Sequence, residues 1–134
     1  MIGVLVVTHG SIGEELLTSA AQILGNPPAQ VATLSVWRQD DPDDLVLRAR
    51  ELLDSLDAGD GVLVLTDIFG ATPGNVVSRL LEDGRIEGVS GASLPMLLRV
   101  LTGRNGSLSA AVKRALSGGS EGVVHMNSDR CLDA

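Results

Sequence analysis

The sequence predicts an α/β protein with a flavodoxin-like, doubly wound and mainly parallel sheet, and three observations carry that prediction. Two continuous apolar runs, Val4–Val7 and Val62–Thr66, lack the polar alternation of a half-exposed strand, as expected of strands covered on both faces. Each run stops abruptly at a glycine-containing turn, Thr8-His9-Gly10-Ser11 in one case and Asp67-Ile68-Phe69-Gly70-Ala71 in the other. Each turn leads at once into an amphipathic stretch, so strand and helix alternate along the chain at the spacing of parallel crossovers.

Taken in order, Val4–Val7 is followed by a helix whose apolar face carries Ile12, Leu16, Leu17, Ala20, Ala21 and Leu24. Gly25 offers it a left-handed cap, and Asn26-Pro27-Pro28 forbids its continuation. Val31–Trp37 reads as a second strand. Asp41-Pro42 supplies an N-cap and a first-turn proline for a helix with Leu45, Ala49, Leu52, Leu53 and Leu56 on one face, broken by Gly59-Asp60-Gly61. After Val62–Thr66, Thr72-Pro73 again reads as N-cap plus proline, opening a helix with Val76, Val77, Leu80 and Leu81 that stops near Gly84. Ile86–Ala92 is a weaker, glycine-interrupted strand. Ser93-Leu94-Pro95 opens a short helix, Met96–Leu101. Ser107 caps a further helix with Leu108, Ala111, Val112, Ala115 and Leu116, for which Gly118-Gly119 is the expected end. Gly122–Met126 reads as a last short strand, and the remainder as a solvated tail.

A chain of 134 residues suits one domain, which buries roughly two thirds of its unfolded surface. The 44% apolar fraction is rich in Val, Leu and Ala and nearly free of aromatics, which fits a tightly packed α/β protein. The single Cys131 forms no internal disulfide, and no apolar run approaches the roughly 20 residues of a membrane span. With no basic segment before Val4–Val7, a cytoplasmic location is expected. Seventeen acidic against ten basic side chains give a formal charge of −7, which argues against nucleic acid or an anionic membrane as a non-specific partner.

In the flavodoxin-like order the first and third strands are neighbours, and the crevice at their carboxyl ends is where ligands bind. His9 ends the first strand and Asp67 the third, so an imidazole and a carboxylate far apart in sequence are expected to meet. The loops Gly10-Ser11 and Gly70-Ala71-Thr72 each open a helix, whose unpaired N–H groups and partial positive charge suit an anion, with phosphate the natural candidate. A carboxylate that accepts from one imidazole nitrogen fixes the tautomer and leaves the other nitrogen nucleophilic. No cofactor and no metal site are expected. His125 is read as structural, Cys131 as incidental and Met96 as packing.

Three blocks also carry a resemblance: Val6-Val7-Thr8-His9-Gly10, Thr66-Asp67-Ile68-Phe69-Gly70-Ala71-Thr72-Pro73-Gly74-Asn75 and Gly91-Ala92-Ser93-Leu94-Pro95-Met96-Leu97. In this order they resemble the IIA component of the mannose-family sugar phosphotransferase system. The resemblance implies a phosphoryl carrier, a phosphotransferase acting through a phosphohistidine, in a domain covering residues 1–127 with a tail at 128–134. His9 would accept phosphate from HPr and pass it to a histidine on a IIB component, with Asp67 orienting the ring and Thr72 hydrogen-bonding the phosphate. It further implies a homodimer in which the last strand, matched by Gly122–Met126, crosses antiparallel to the partner's sheet. The acceptor is expected on a separate chain, and the protein is at most peripheral to a membrane permease. Where the family often has a tryptophan and paired glycines after the aspartate, this sequence has Phe69 and Gly70-Ala71.

Two other readings differ in acceptor or in class. The phosphotransfer subunit serving dihydroxyacetone kinase shares the fold and chemistry. Val7-Thr8-His9-Gly10-Ser11 also resembles the opening of small tetrapyrrole metal chelatases, but those need a second metal-binding histidine where this sequence offers Asp67. A flavin site lacks its phosphate loop and flanking aromatics, and a receiver domain lacks its acidic cluster and late lysine.

Overall fold

The computed structural model describes residues 1–128. Its elements alternate as expected: β1 (Gly3–His9), α1 (Ile12–Leu24), β2 (Val31–Val36), α2 (Pro42–Leu56), β3 (Val62–Thr66), α3 (Thr72–Ser78), β4 (Ile86–Ser90), α4 (Leu94–Leu101) and α5 (Leu108–Glu121). The four strands of the described residues form one sheet in the order β2-β1-β3-β4, every pairing parallel. From β1 the chain first winds outward to β2, then returns to place β3 on the other side. That reversal is the topological switch point.

Successive strand residues point to opposite faces, and the core divides accordingly. Leu5, Val7, Val62 and Val64 pack with Leu45, Ala49 and Leu53 of α2 and Val76 and Val77 of α3. Val4, Val6, Leu63 and Leu65 pack with Ala20 of α1, Met96 and Leu97 of α4, and Ala111 and Ala115 of α5. A strand covered on both faces has no solvent side, which is why β1 and β3 read as unbroken apolar runs. Met96 is a core residue, as expected.

The caps act largely as the sequence suggests. Asp41 accepts from the Asp43 N–H at 3.0 Å, and the Ser93 and Ser107 hydroxyls accept from the N–H groups of Met96 and Ala110. Gly25 has a φ of 91° and closes α1 onto the Ala21 carbonyl. Thr72 is corrected: Ala71 is the N-cap of α3, and Thr72 and Pro73 are already helical. This helix also ends at Ser78, with buried Leu80 in the turn after it and Leu81 exposed.

Gly118-Gly119 does not end α5, which continues through both to Glu121. A Cβ at Gly118 would lie 2.9 Å from the Arg99 Cβ and 3.1 Å from the Met96 Cα, so this glycine lets α5 press against α4 instead of stopping it. The expected strand at Gly122–Met126 is not formed within one chain. The segment beyond α5 is exposed, with Val123 84% and Met126 80% accessible, because it lies against no strand of its own sheet. His125 falls in this exposed segment and not in a strand. Cys131 and nearly all of the expected tail lie outside the described residues.

The end of the sheet opposite the switch point is closed by polar contacts. Arg104 is buried and donates to the carbonyls of Ile2 and Gln30, and its burial away from a carboxylate among the described residues pushes its pKa down. Asp57, at the end of α2, accepts from the N–H groups of Gly59 (2.8 Å) and Gly61 (3.1 Å) and from Arg85 Nε (3.2 Å). The two backbone donors first, and the guanidinium after them, hold its pKa below the ordinary carboxylate value.

A group with a depressed folded pKa binds its proton more readily in the unfolded chain, so its stabilisation is present above the unfolded value near 4 and is lost as pH falls through the folded value. Asp57→Asn is therefore expected to lower stability by about 1–2 kcal/mol at pH 7. Urea unfolding from pH 7 down to 3 should show the difference from wild type shrinking in the acid limb; a difference independent of pH would contradict this.

Candidate functional site

The site is built at the carboxyl ends of β1 and β3. The register sets Val7 opposite Thr66, so Asp67, one residue past β3, reaches the backbone of His9 at the end of β1. Asp67 Oδ2 lies 2.9 Å from His9 Nδ1 and also accepts the His9 backbone N–H at 3.2 Å, while Oδ1 accepts from the Ile68 N–H at 3.1 Å. A carboxylate oxygen only accepts, so in the neutral ring Nδ1 carries the proton and Nε2 keeps its lone pair. The His9 side chain is 49% exposed and that of Asp67 13%. The acid is held inside the wall and the imidazole faces outward.

The turn after His9 is fixed from three sides. Gly10 has a φ of 48°, its N–H donates to the Val36 carbonyl at 2.9 Å, and a Cβ there would stand 3.2 Å from the Trp37 ring. The buried Thr8 hydroxyl accepts from the Gly13 N–H at 2.7 Å, which satisfies one of the unpaired donors at the start of α1. Gly13 in turn has no room for a side chain, with Thr8 Oγ1 3.1 Å from its would-be Cβ. On the β3 side, Gly70 takes a φ of 90°, and Gly74 lets α3 approach the Ile68 carbonyl to 2.9 Å of a would-be Cβ.

His9 and Thr72 line one cleft of about 560 Å³, with Val36, Trp37, Arg38, Asp40 and Pro42 completing the wall. Ser11 borders a separate depression with Ile12, Leu16 and Leu94, and Gly70 is exposed in the loop before α3. The structure thus joins His9 to Asp67, sets Thr72 on the same cleft as His9 and leaves Ser11 to one side. Among the described residues no group of three or more His, Cys, Asp or Glu side chains could hold a metal ion, and no helix is long and apolar enough to cross a membrane.

Trp37 and Arg38 are cleft residues that the reading of strand ends left out. The signal was present: they follow β2, which pairs with β1 in a register that sets Val36 opposite His9. Any residue just past β2 must therefore flank the crevice on its far side.

A four-stranded doubly wound sheet with an imidazole–carboxylate pair at its switch point defines an α/β domain with its site at the strand ends. The family model described as "PTS system fructose IIA component" matches residues 3–116, and the chain belongs to this family of phosphotransferase-system IIA components, as its mannose-type motifs imply. It is 32% identical over 125 residues to the PTS system mannose-specific EIIAB component of Escherichia coli K12, covering 91% of this chain and 38% of that protein. It is 31% identical to the PTS system fructose-specific EIIA component of Bacillus subtilis over 103 residues, 76% of this chain and 70% of that one. Among solved structures, EIIA from Streptococcus agalactiae superposes with a TM-score of 0.85 at 26% identity, covering 96% of this chain and 99% of that one. The mannose/sorbose IIA subunit of Enterococcus faecalis, with a TM-score of 0.81 at 23% identity and 92% of each chain covered, shares the fold.

Gly10→Ala is expected to cost about 1–2 kcal/mol for its left-handed backbone together with the clash against Trp37. In a Trp37→Leu background the penalty should fall to about 1 kcal/mol, the backbone share alone. Denaturant unfolding of the four proteins in this cycle measures both, and an equal penalty in the two backgrounds would remove Trp37 from the explanation.

Proposed function

We propose that the chain is a phosphoryl carrier: His9 takes a phosphoryl group from HPr and passes it to a histidine of a IIB component, in sugar uptake or its regulation. The observation that carries this reading is the 2.9 Å contact between His9 Nδ1 and Asp67, which leaves Nε2 as the nucleophile on a half-exposed ring. Membership in the IIA family supports the same role. The chain spans 38% of the length of the mannose-specific relative, so the sugar and the acceptor are those of whatever partner it serves.

In the transfer, the Nε2 lone pair attacks phosphorus and the new N–P bond forms as the donor's N–P bond breaks, its electron pair remaining on the donor ring. The Nδ1 proton stays on His9 and faces Asp67 throughout. The reverse sequence hands the group to the acceptor. An arriving phosphoryl group carries about −1.5 to −2 charges, which Asp67 repels. The Thr72 hydroxyl and the N–H groups of the Gly70-Ala71 turn offset that repulsion by donating to its oxygens. The Gly10 N–H is already taken by the Val36 carbonyl and Ser11 faces a separate depression, so the expected phosphate contacts of the Gly10-Ser11 turn are not part of this reading.

The same reading includes a homodimer in which Gly122–Met126 adds antiparallel to the partner's β4. Three features support it. Among the described residues β4 pairs with β3 on one side and on the other meets only Glu82, which bridges Ile86 at its start, so the outer edge beyond Ile86 has unused hydrogen-bonding groups. A groove of about 370 Å³ runs along that edge between α3 and α5, lined by Val89, Val112, Leu116 and Phe69, and holds the buried Thr66 hydroxyl without a partner among the described residues. The segment that would fill it exposes Val123 and Met126.

Mixing the protein with phosphoenolpyruvate, enzyme I and HPr should add one acid-labile phosphate by intact mass, and none to His9→Ala. Asp67→Ala should slow the uptake about 10- to 100-fold, as for a residue that orients another. Full uptake by His9→Ala would end the proposal. Removing the residues after Gly122 is expected to yield a monomer by light scattering with the fold intact by circular dichroism; an unchanged dimer would exclude strand exchange.

A further inference from the structure

Among the described residues Arg38 is the only lysine or arginine lining the His9 cleft. It sits on a stiff turn. The Asp40 N–H donates to the Trp37 carbonyl at 3.0 Å, and the Trp37 N–H donates back to Asp40 Oδ2 at 2.8 Å, so residues 37 to 40 are tied across both ends. The nearest carboxylate on that turn is already engaged, because Asp40 Oδ2 also faces Arg48 at 3.9 Å. Arg38 itself forms no ion pair among the described residues, and its side chain is exposed.

An unpaired guanidinium on the same cleft as the His9 imidazole answers a specific electrostatic problem. The chain carries a formal charge of −7, and both carboxylates at the cleft, Asp67 and Asp40, oppose the arrival of a phosphoryl dianion. Helix N–H groups carry partial charges only. A guanidinium supplies a full positive charge and a planar fork of donors that matches two phosphoryl oxygens. Thr72 lines the same cleft as Arg38 and offers a hydroxyl but no charge.

We infer that Arg38 is a phosphate-binding residue of the carrier, closing from the Trp37–Asp40 turn over the phosphoryl group on His9 Nε2 and donating to its oxygens. The inference rests on the proposed phosphorylation of His9 and deepens it. Arg38 stabilises the phosphorylated form relative to the free one, and so sets how much phosphate resides on this chain at equilibrium with its donor.

The test labels His9 in two ways, with phospho-HPr and with phosphoramidate, a small donor that needs no protein partner, in wild type, Arg38→Ala, Arg38→Lys and Arg38→Gln. Phosphorus NMR follows the second ionisation of the phosphoryl group across pH 4 to 8, and gel separation gives the equilibrium between this chain and HPr. In Arg38→Ala and Arg38→Gln the ionisation midpoint should rise, as expected when a neighbouring cation is removed. The equilibrium should also move about 3- to 10-fold toward HPr, the scale of a charge-assisted contact at a partly exposed site. Arg38→Lys should recover much of the midpoint but less of the equilibrium, since it keeps the charge and loses the fork. An unchanged midpoint in phosphoramidate-labelled Arg38→Ala overturns the inference alone. Labelling by phosphoramidate but not by phospho-HPr overturns the carrier function alone, and labelling by neither overturns both.

Discussion

Everything at the functional end of this molecule depends on β1 being paired on both sides. Because β2 and β3 flank it in parallel, no helix can cross its carboxyl end, and the chain must leave the sheet there in opposite directions. The resulting crevice is lined by whatever residues end three strands: His9, Asp67 and the Trp37-Arg38 pair. One register fixes their mutual distances. A slip of one residue in β3 against β1 would reverse the faces of its side chains and carry Asp67 away from the imidazole.

The division of labour between rigid and adjustable parts follows from this arrangement. The imidazole and its carboxylate stand at the ends of strands whose other side chains are buried, while exposed side chains surround them outside the sheet. Ile68 and Phe69 are exposed beside the site, the latter 81% accessible, and Trp37 is half-exposed on the other wall. A carrier must release its cargo as readily as it accepts it. An open site is what the proposed transfer to a partner's histidine needs, where the closed pocket of an enzyme retaining a small substrate would obstruct it.

The fold and the central pair were legible because strand ends and glycine turns leave local marks: apolar runs that stop, then φ-permissive residues, then helical periodicity. His9 and Asp67 could be brought together on topology alone. What was not legible depends on tertiary context. Gly118-Gly119 has the appearance of a stop, yet Gly118 is small because Met96 and Arg99 of α4 press on it. Thr72-Pro73 has the pattern of a cap, but Ala71 takes the extended conformation one residue earlier. Gly122–Met126 has the composition of a strand and lies on no strand within its own chain, because strand character is a property of a pair. Arg38 was passed over because an exposed arginine in a polar turn looks like any solvated charge until β2 is known to lie beside β1.

The central claim is that Asp67 fixes the His9 ring with its proton on Nδ1, so that Nε2 is the nucleophile. The most direct measurement is nitrogen-15 NMR of the histidine ring in the unphosphorylated protein, at a pH where the imidazole is neutral, with His9 assigned by comparison to His9→Ala. A protonated Nδ1 and a pyridine-like Nε2, reverting to a tautomer mixture in Asp67→Ala, is the outcome this account predicts. A proton found on Nε2 in the wild-type protein would contradict it.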